Sequence, residues 1–352
     1  MVLLSTPSLI KVAILKRLFD APGDTRKLHT RMVPTIGGII IFAGTLFSYS
    51  LWFPDIHDYP QLAKGISDYK FIVSTLLVMF FVGVKDDIIG TAPVKKLVAH
   101  VLVGMVLVLM ADIRIVSMHG LFGIETLPLW TSVFLSLFTY IVVVNAFNLI
   151  DGVDGLAGGV GFIASSAFGC WFALVGDSAM ACLAFALSGS LFAFLFFNFS
   201  PAKIFMGDSG SLTIGLIICI LAIKVIGYDV SAIESRFLLN VSKPIFAMAV
   251  LVYPLVDTLR IFIYRAVRGV SPFSADRNHL HHRLLDIGLS HKGTVVTIYF
   301  FNVFIIALTI GLSVINVNAN YVLMIVAAVS LTLAQIPFFI TKKKNRTAKD
   351  ND

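Results

Sequence analysis

Long apolar runs alternate with short polar connections along nearly the whole chain. A membrane-spanning helix needs about 20 mostly apolar residues. Ten runs come close to this length and predict transmembrane helices, at 35–54, 69–84, 94–111, 128–147, 155–175, 178–199, 208–227, 244–265, 294–315 and 320–340. A shorter run, Met1–Phe19, predicts half a helix or an interfacial helix. The pattern therefore predicts an all-α fold, a polytopic membrane helical bundle with 10–11 transmembrane helices.

Composition leads to the same class of protein. Of the 352 residues, 58% are hydrophobic and 13% are charged, and the mean hydropathy is +0.92. Soluble globular domains are far less apolar. The three cysteines lie inside apolar runs and have the spacing of neither a metal site nor a disulfide framework. We expect one integral membrane domain over 1–341 and a basic cytoplasmic tail over 342–352.

Basic residues divide unevenly between alternate connections. Of the 27 Lys and Arg residues, 21 belong to one set of connections and six to the other. The richer set comprises 11–31, 85–96, Lys203, 260–292 and the tail. Connections rich in Lys and Arg remain in the cytoplasm, so this set predicts the cytoplasmic face. The net charge of +7 follows this topology and forms no patch, which argues against a nucleic-acid partner.

Weaker patterns predict local structure. Residues 112–127 alternate loosely between apolar and polar and predict a short hairpin. Residues 228–243 predict a short interfacial helix. Gly155 and Gly159 form a G-x-x-x-G pattern at the start of a span, which predicts close helix packing.

The most informative stretch is Asn145–Gly159, which reads NAFNLIDGVDGLAGG between two apolar runs. Asn148, Asp151 and Asp154 recur every three residues, so a helical turn would place them near one face. Ionisable residues this close to hydrocarbon are costly, and they usually mark a functional site. The alternative is a polar corner between helices, packed by glycines.

The alternation of the predicted spans places this stretch on the face that carries the basic connections, and three further polar motifs lie in or beside those connections. The four motifs are Asp86–Asp87, Asn148–Asp154, Gly207–Gly210 and Asp276–Arg283. Because every span returns the chain to one face or the other, connections on the same face can meet. The sequence therefore predicts one active site at the cytoplasmic face, built from all four motifs.

The residue types at this site indicate phosphate chemistry. Gathered carboxylates repel one another unless some are protonated, paired with bases or bound to a cation. Carboxylate and amide oxygens are suitable ligands for Mg²⁺, which commonly links one or two carboxylates to substrate phosphates. Basic side chains in the same connections suit a polyanionic substrate, namely Lys27, Lys95, Lys96, Arg277 and Arg283.

Three histidines, His279, His281 and His282, lie within four residues. Zinc is one interpretation, since imidazole is a common zinc ligand. The chain has neither an H-E-x-x-H motif nor a cysteine partner, so contact with phosphate or sugar oxygens beside Arg277 and Arg283 is the favoured interpretation.

Several motifs together resemble the polyprenyl-phosphate N-acetylhexosamine-1-phosphate transferase family, of the glycosyltransferase 4 type. The matching stretches are Arg26–His29, Pro34–Gly38, Val84–Ile88, Asn145–Gly155, Phe205–Gly210 and Asp276–Leu284. They occur in the family's order over most of the chain. The His279–His282 form resembles bacterial enzymes that start O-antigen, enterobacterial common antigen or teichoic acid linkage units. The alternative branch is phospho-N-acetylmuramoyl-pentapeptide translocase, which more typically has three consecutive histidines.

The resemblance implies a reaction and its partners. A UDP-N-acetylhexosamine, expected to be UDP-N-acetylglucosamine, gives its sugar 1-phosphate to undecaprenyl phosphate, and UMP leaves. The implied location is the bacterial inner (cell) membrane, and a homodimer is the implied assembly. One departure is that Asp86-Asp87 is followed by Ile88, Ile89 and Gly90, where many relatives have a third carboxylate.

The resemblance also implies roles for residues. Mg²⁺, with Mn²⁺ as a substitute, would be held by Asp208 and the amide of Asn148. Asp86 and Asp87 would activate the lipid phosphate, and the histidines and arginines would hold the donor. The expected catalytic residues are Asp86, Asp87, Asp151, Asp154, Asp208, His279, His281 and His282. The expected substrate-binding residues are Lys27, Lys95, Lys96, Asn145, Asn148, Arg277 and Arg283.

Two other classes compete with the transferase. An ion-coupled transporter also places acidic residues in its spans, but near the bilayer midplane. Here the acidic motifs lie at the predicted span ends beside basic connections. A structural membrane protein would leave four polar motifs on one face unexplained.

Overall fold

A computed structural model describes residues 1–16, 18–20, 33–54, 63–229, 236–269 and 279–349. Its helices are α1 Val2–Leu15, α2 Gly37–Leu51, α3 Ala63–Ile89, α4 Pro93–Met105, α5 Leu129–Ile150, α6 Leu156–Leu174, α7 Ser178–Asn198, α8 Gly207–Ile226, α9 Arg236–Leu239, α10 Lys243–Val250, α11 Val252–Val267, α12 Leu280–Asp286, α13 His291–Val314 and α14 Ala319–Lys349. A π-helical turn, Val106–Met110, extends α4. Two antiparallel pairs complete the described part, β1 Phe19–Asp20 with β2 Val33–Pro34 and β3 Ser117–Leu121 with β4 Ile124–Thr126.

The predicted all-α membrane bundle is confirmed, and each of the ten predicted runs is helical. Within the described ranges, seven helices are long and apolar enough to cross a membrane, or eight if the bent pair α10–α11 forms one span. This is fewer than the predicted 10–11, partly because α2 has only 15 residues and α10 meets α11 at 76°. The basic tail continues α14 as far as Lys349.

Of the two local structures predicted in the connections, the hairpin forms as expected and the interfacial helix is shorter than expected. The hairpin predicted in 112–127 is confirmed as β3–β4. In the stretch 228–243, where one short helix was predicted, the described helix is only the four-residue α9. Residues 230–235 of that stretch lie outside the described part.

Helix α8 lies at the centre of the bundle. Of the most apolar 18-residue stretch of α8, 94% is buried, whereas only 22% of the corresponding stretch of α14 is buried. It packs against α3, α5, α2 and α6, and nearly all of its residues are buried and apolar or small. A helix that is apolar on all sides belongs in the interior. The position of α8 matters for function because Asp208 is in its first turn.

The predicted close packing at Gly155 and Gly159 is confirmed, with Tyr299 of α13 as the partner. The Tyr299 hydroxyl donates to the carbonyl oxygen of Gly155. A β-carbon on Gly159 would overlap the Tyr299 ring. Glycine is therefore required there for α6 and α13 to approach.

Helices α3 and α8 run in opposite directions, which defines two ends of the bundle. At one end Asp87 contacts Asp208 and Ser209. At the other end the ammonium group of Lys224 pairs with the buried carboxylate of Asp68. Lys224 follows Asp208 by sixteen positions in α8, which is about 24 Å along the helix axis. The candidate site lies at the first of these ends.

Candidate active site

The first turn of α8 is held by the carboxylate of Asp87. Oδ1 accepts the backbone N–H of Asp208 at 2.6 Å, and Oδ2 accepts that of Ser209 at 3.0 Å. These N–H groups have no partner within the helix, and the helix dipole favours an anion at this position. Asp87 thus acts as a cap supplied by α3, and it fixes where Asp208 stands.

A glycine on α3 allows this contact. A β-carbon on Gly83 would lie 2.6 Å from the backbone nitrogen of Ser209, which is far closer than real β-carbons come to other atoms. Since Gly83 is one helical turn before Asp87, any larger residue would push α3 away from the start of α8.

Lys96 stands between two of the predicted carboxylates. Its Nζ is 2.6 Å from Oδ2 of Asp86, and it also donates to Oδ2 of Asp208. Asp86 and Asp87 are adjacent in sequence, yet they have different partners. Asp86 faces the ammonium group, whereas Asp87 holds backbone amides. In the sequence the two residues form one acidic pair, whereas in the structure their side chains have different partners.

Asn148 completes the surroundings of Asp208. Its Nδ2 donates to Oδ1 of Asp208 at 3.0 Å and to Oγ of Ser211 at 3.0 Å. Because the amide nitrogen is engaged twice, the amide oxygen is the atom that can bind a cation.

A divalent cation fits the chemistry of this donor set. The ammonium group of Lys96 already supplies positive charge between Asp86 and Asp208. No group of three or more His, Cys, Asp and Glu with metal-binding geometry occurs in the described ranges. Mg²⁺ does not require one, since it keeps several waters and commonly takes one or two carboxylates. Asp208 and Asn148 together are consistent with such a site.

Asp151 and Asp154 lie in the turn between α5 and α6. Desolvation, followed by the charges of Asp208, Asp87 and Asp154, raises the pKa of Asp151 to about 8. Asp154 instead accepts the backbone N–H of Ala202 at 3.0 Å. Asp151 is therefore electrostatically part of the carboxylate cluster. Asp154 also stabilises the connection between α7 and α8 through its hydrogen bond with Ala202.

The histidine motif packs against this same turn. His281 is almost fully buried, and its Nε2 lies 3.3 Å from the position that a β-carbon on Gly152 would occupy. Tyr253 of α11 shares a 3.2 Å hydrogen bond with Nδ1 of His281. Burial lowers the pKa of His281 to about 3, so this ring is neutral at physiological pH.

The rings of the three histidines lie together. His279 and His281 stack with centroids 5.4 Å apart, and the centroids of His281 and His282 are 4.4 Å apart. The structure thus brings the histidine motif to the turn that carries Asp151, as predicted from the four separated motifs.

The sequence reasoning missed Asp257, a buried residue of α11. Its Oδ2 accepts Nδ1–H of His279 at 2.8 Å, and its Oδ1 accepts the backbone N–H of Leu280 at 2.8 Å. The signal was present in the sequence, because Asp257 is an acidic residue within an apolar run. It stands alone there, without the repeated spacing that singled out the other acidic motifs.

The remaining predicted residues lie around this centre. Asn145 donates to the carbonyl oxygen of Ile141 at 2.7 Å and to Nδ1 of His100 at 3.3 Å, one helical turn before Asn148. Lys95 is exposed. Arg283 pairs with Asp286 at 3.4 Å and lies 5.4 Å from the centre of the Phe338 ring. Lys27 and Arg277 lie outside the described residues.

Comparison with known proteins identifies the family to which the chain belongs. The family model described as glycosyl transferase family 4 matches residues 69–226. A decaprenyl-phosphate N-acetylglucosaminephosphotransferase of Mycobacterium leprae is 34% identical over 297 residues, which cover 78% of this chain and 72% of that protein. The chain belongs to glycosyl transferase family 4. An undecaprenyl-phosphate alpha-N-acetylglucosaminyl 1-phosphate transferase of Salmonella typhi is 30% identical over 340 residues, covering 94% of this chain and 84% of that protein. A protein of the same name from Escherichia coli K12 is 28% identical over 298 residues, covering 82% of this chain and 74% of that protein.

The glycosyl transferase family 4 match includes three of the four polar motifs. Residues 69–226 contain Asp86–Asp87, Asn148–Asp154 and Gly207–Gly210, but they end before His279. The alignment with the Salmonella typhi protein covers 94% of this chain, so it extends over the histidine motif as well.

Proposed function

We propose that this family 4 member transfers N-acetylglucosamine 1-phosphate from UDP-N-acetylglucosamine to undecaprenyl phosphate and releases UMP. The observation that carries the proposal is the joining of Asp86, Lys96, Asn148 and Asp208 at one end of a membrane bundle. Acids, an amide and an ammonium group at the edge of a membrane suit the meeting of a soluble and a lipid-bound phosphate. The names of the Mycobacterium leprae and Salmonella typhi relatives support the same reaction.

The reaction exchanges one diphosphate linkage for another. An oxygen of the lipid phosphate attacks the donor phosphorus that carries the sugar, and the bond from that phosphorus to the oxygen of UMP breaks. A phosphate oxygen is already a nucleophile, so the protein mainly positions and neutralises the reactants. Lys96 is the described cation best placed to neutralise a phosphate beside Asp86 and Asp208.

We propose Mg²⁺ as the cofactor, with Mn²⁺ able to replace it. Asp208 and the amide oxygen of Asn148 would hold the ion, which would offset the charge of the donor's phosphates. Asp208 is kept in place by Asn148 on one oxygen and by Lys96 on the other.

Direct attack by the lipid phosphate is favoured over a covalent aspartyl intermediate. Both carboxylate oxygens of Asp87 accept backbone N–H groups of α8. An aspartate nucleophile would have to give up at least one of these bonds, and α8 would lose part of its cap. Asp87 is therefore proposed to hold the site together rather than to take up the phosphosugar.

We further propose that the site faces the cytoplasm of a bacterial cell and that the protein works as a homodimer in the inner (cell) membrane. The excess of Lys and Arg in the connections at this end supports the orientation. The reaction would start a lipid-linked cell-surface polysaccharide.

The test is release of UMP by the purified protein. The protein is incubated with undecaprenyl phosphate and Mg²⁺ and with UDP-N-acetylglucosamine, UDP-N-acetylgalactosamine or UDP-N-acetylmuramoyl-pentapeptide. UMP release is expected with the first donor, and it should require the lipid. Release with the pentapeptide donor alone would instead favour the translocase branch, and no release with any donor would contradict the proposal.

A further inference from the structure

Asp257 is a buried carboxylate that takes no direct part in the proposed reaction. It lies in α11 with 1% of its surface exposed, and its oxygens accept three donors. His279 and the backbone of Leu280 each donate at 2.8 Å, and Arg260 donates at 3.2 Å. A carboxylate buried this deeply is costly unless its hydrogen bonds are satisfied, and here they are.

The contact with His279 determines the form of that imidazole. An ionised carboxylate only accepts hydrogen bonds, so Nδ1 of His279 carries the hydrogen that Oδ2 of Asp257 receives. Nε2 is then the atom left for another partner. It can accept a hydrogen bond when the ring is neutral or donate one when the ring is charged.

The position of the His279 ring places its Nε2 atom within the candidate site. Its ring stacks on that of His281 with an angle of 9° between the planes. His281 in turn lies against Gly152, between Asp151 and Asp154 in the sequence. The buried Asp257 therefore acts on the site through a histidine that belongs to it.

We infer that Asp257 is a positioning residue for the transfer reaction. It holds His279 in the Nδ1–H form and presents Nε2 to an oxygen of the donor's diphosphate or sugar. This inference rests on the proposed function. Arg260 strengthens the arrangement, because it donates to Asp257 and lies 4.3 Å from the centre of the Phe338 ring, which limits the movement of the carboxylate.

A purely structural role is the alternative, since Oδ1 of Asp257 also binds the first backbone N–H of α12. Asp257→Asn separates the two roles. The amide oxygen can still accept from Leu280, but the amide nitrogen cannot accept from Nδ1–H of His279. The ring would then have to turn or change its tautomer.

The experiment is a double-mutant cycle of Asp257→Asn and His279→Gln, with UMP release as the readout. Asp257→Asn alone should lower kcat by at least about tenfold while KM for the lipid changes little. In the His279→Gln background it should have almost no further effect, because residues that act as a unit are not additive. Asp112→Asn is the matched control, since Asp112 pairs with Arg114 away from the site and its side chain is 64% exposed.

Two results would overturn the inference. One is unchanged kcat in Asp257→Asn, and the other is an equal loss from Asp257→Asn in both backgrounds, as a structural role predicts. If Asp257→Asn does not fold, ¹⁵N NMR of histidine-labelled wild-type protein decides instead, with the His279 signals assigned through His279→Gln. Nδ1–H is expected and Nε2–H would overturn the inference. Wild-type protein that releases no UMP would contradict the proposed function, while the NMR result would still test the contact.

Discussion

The amide of Asn148 donates from Nδ2 to Oδ1 of Asp208 at 3.0 Å, although 60 residues separate them in the chain. Asn148 lies in the last turn of α5, and Asp208 lies in the first turn of α8. The packing of these two helices thus brings an amide and a carboxylate together at one end of the bundle.

Asp208→Asn should reduce UMP release by about two orders of magnitude or more, since it removes charge at the point where the phosphates are neutralised. It should also raise the Mg²⁺ concentration needed for half-maximal activity. Glu125→Gln, an exposed change in β4, should leave both values unchanged. Normal activity and Mg²⁺ dependence in Asp208→Asn would remove this residue from the site.

Quenching the enzyme after mixing it with UDP-N-acetylglucosamine alone should yield no phosphosugar adduct on Asp87. The reason is that both Asp87 oxygens are engaged by the start of α8. Intact-protein and peptide mass spectrometry would measure the adduct. A phosphosugar on Asp87 that disappears when lipid phosphate is added would establish the two-step route.

Gly83→Ala should lower the free energy of unfolding by about 1–3 kcal/mol and reduce activity, because the added methyl group overlaps the backbone of Ser209. Gly189→Ala is the control. It is also a glycine-to-alanine change inside a helix, and a β-carbon there has no atom within 4 Å apart from its own helix and chain neighbours. Thermal unfolding in detergent and UMP release would be measured for both. Equal behaviour of the two variants would show that α3 can move away from α8 at little cost.

Lys224→Met should lower the free energy of unfolding by about 3 kcal/mol, since it leaves the carboxylate of Asp68 buried without its partner. The double variant Asp68→Leu/Lys224→Met should recover much of this loss. The pair lies about 24 Å along α8 from Asp208, so kcat at a temperature where the protein is folded should change little. A double variant as unstable as Lys224→Met would contradict this explanation.

Asp151→Asn should become more stable relative to the wild type as the pH rises from about 4 to about 8. The pKa of Asp151 is about 8 in the folded protein against an ordinary value of 3.8, so in this window the folded state binds more protons than the unfolded state. Stability of the wild type therefore falls as pH rises, and the variant, which cannot ionise, escapes this loss. Unfolding temperatures of the wild type and the variant, measured over this pH range in EDTA, would test this prediction. EDTA is included because a bound cation would favour the ionised form of Asp151. A difference that stays constant with pH would show that Asp151 ionises normally.

Much of the site could be predicted from residue types and their positions. Asp86, Asp151, Asp208 and His281 all fall in polar motifs at the ends of apolar runs, and the structure gathers these motifs at one end of the bundle. Their roles in catalysis stay predictions. The different partners of Asp86 and Asp87 could not be predicted, because neighbouring residues in a helix point about 100° apart and only packing shows what each one meets.

The contacts of Asp257 could not be predicted from the sequence either. In the sequence it is one acidic residue in an apolar run, and nothing in the run indicates a partner. Its role arises from the packing of α11 beside the start of α12, 22 residues later in the chain. Within the described residues, seven or eight helices are long and apolar enough to cross a membrane, because α2 has only 15 residues and α10 meets α11 at 76°.

The sequence by itself determined that the chain is a helical membrane protein and where nearly all of its helices lie. It could do so because the free energy of placing a segment in a membrane is close to a sum over that segment's own residues. The tertiary structure alone decided which oxygen faces Lys96, which carboxylate caps α8 and which buried acid holds His279. Those contacts join residues far apart in the chain, so they depend on how the helices pack against one another and on no local property of the sequence.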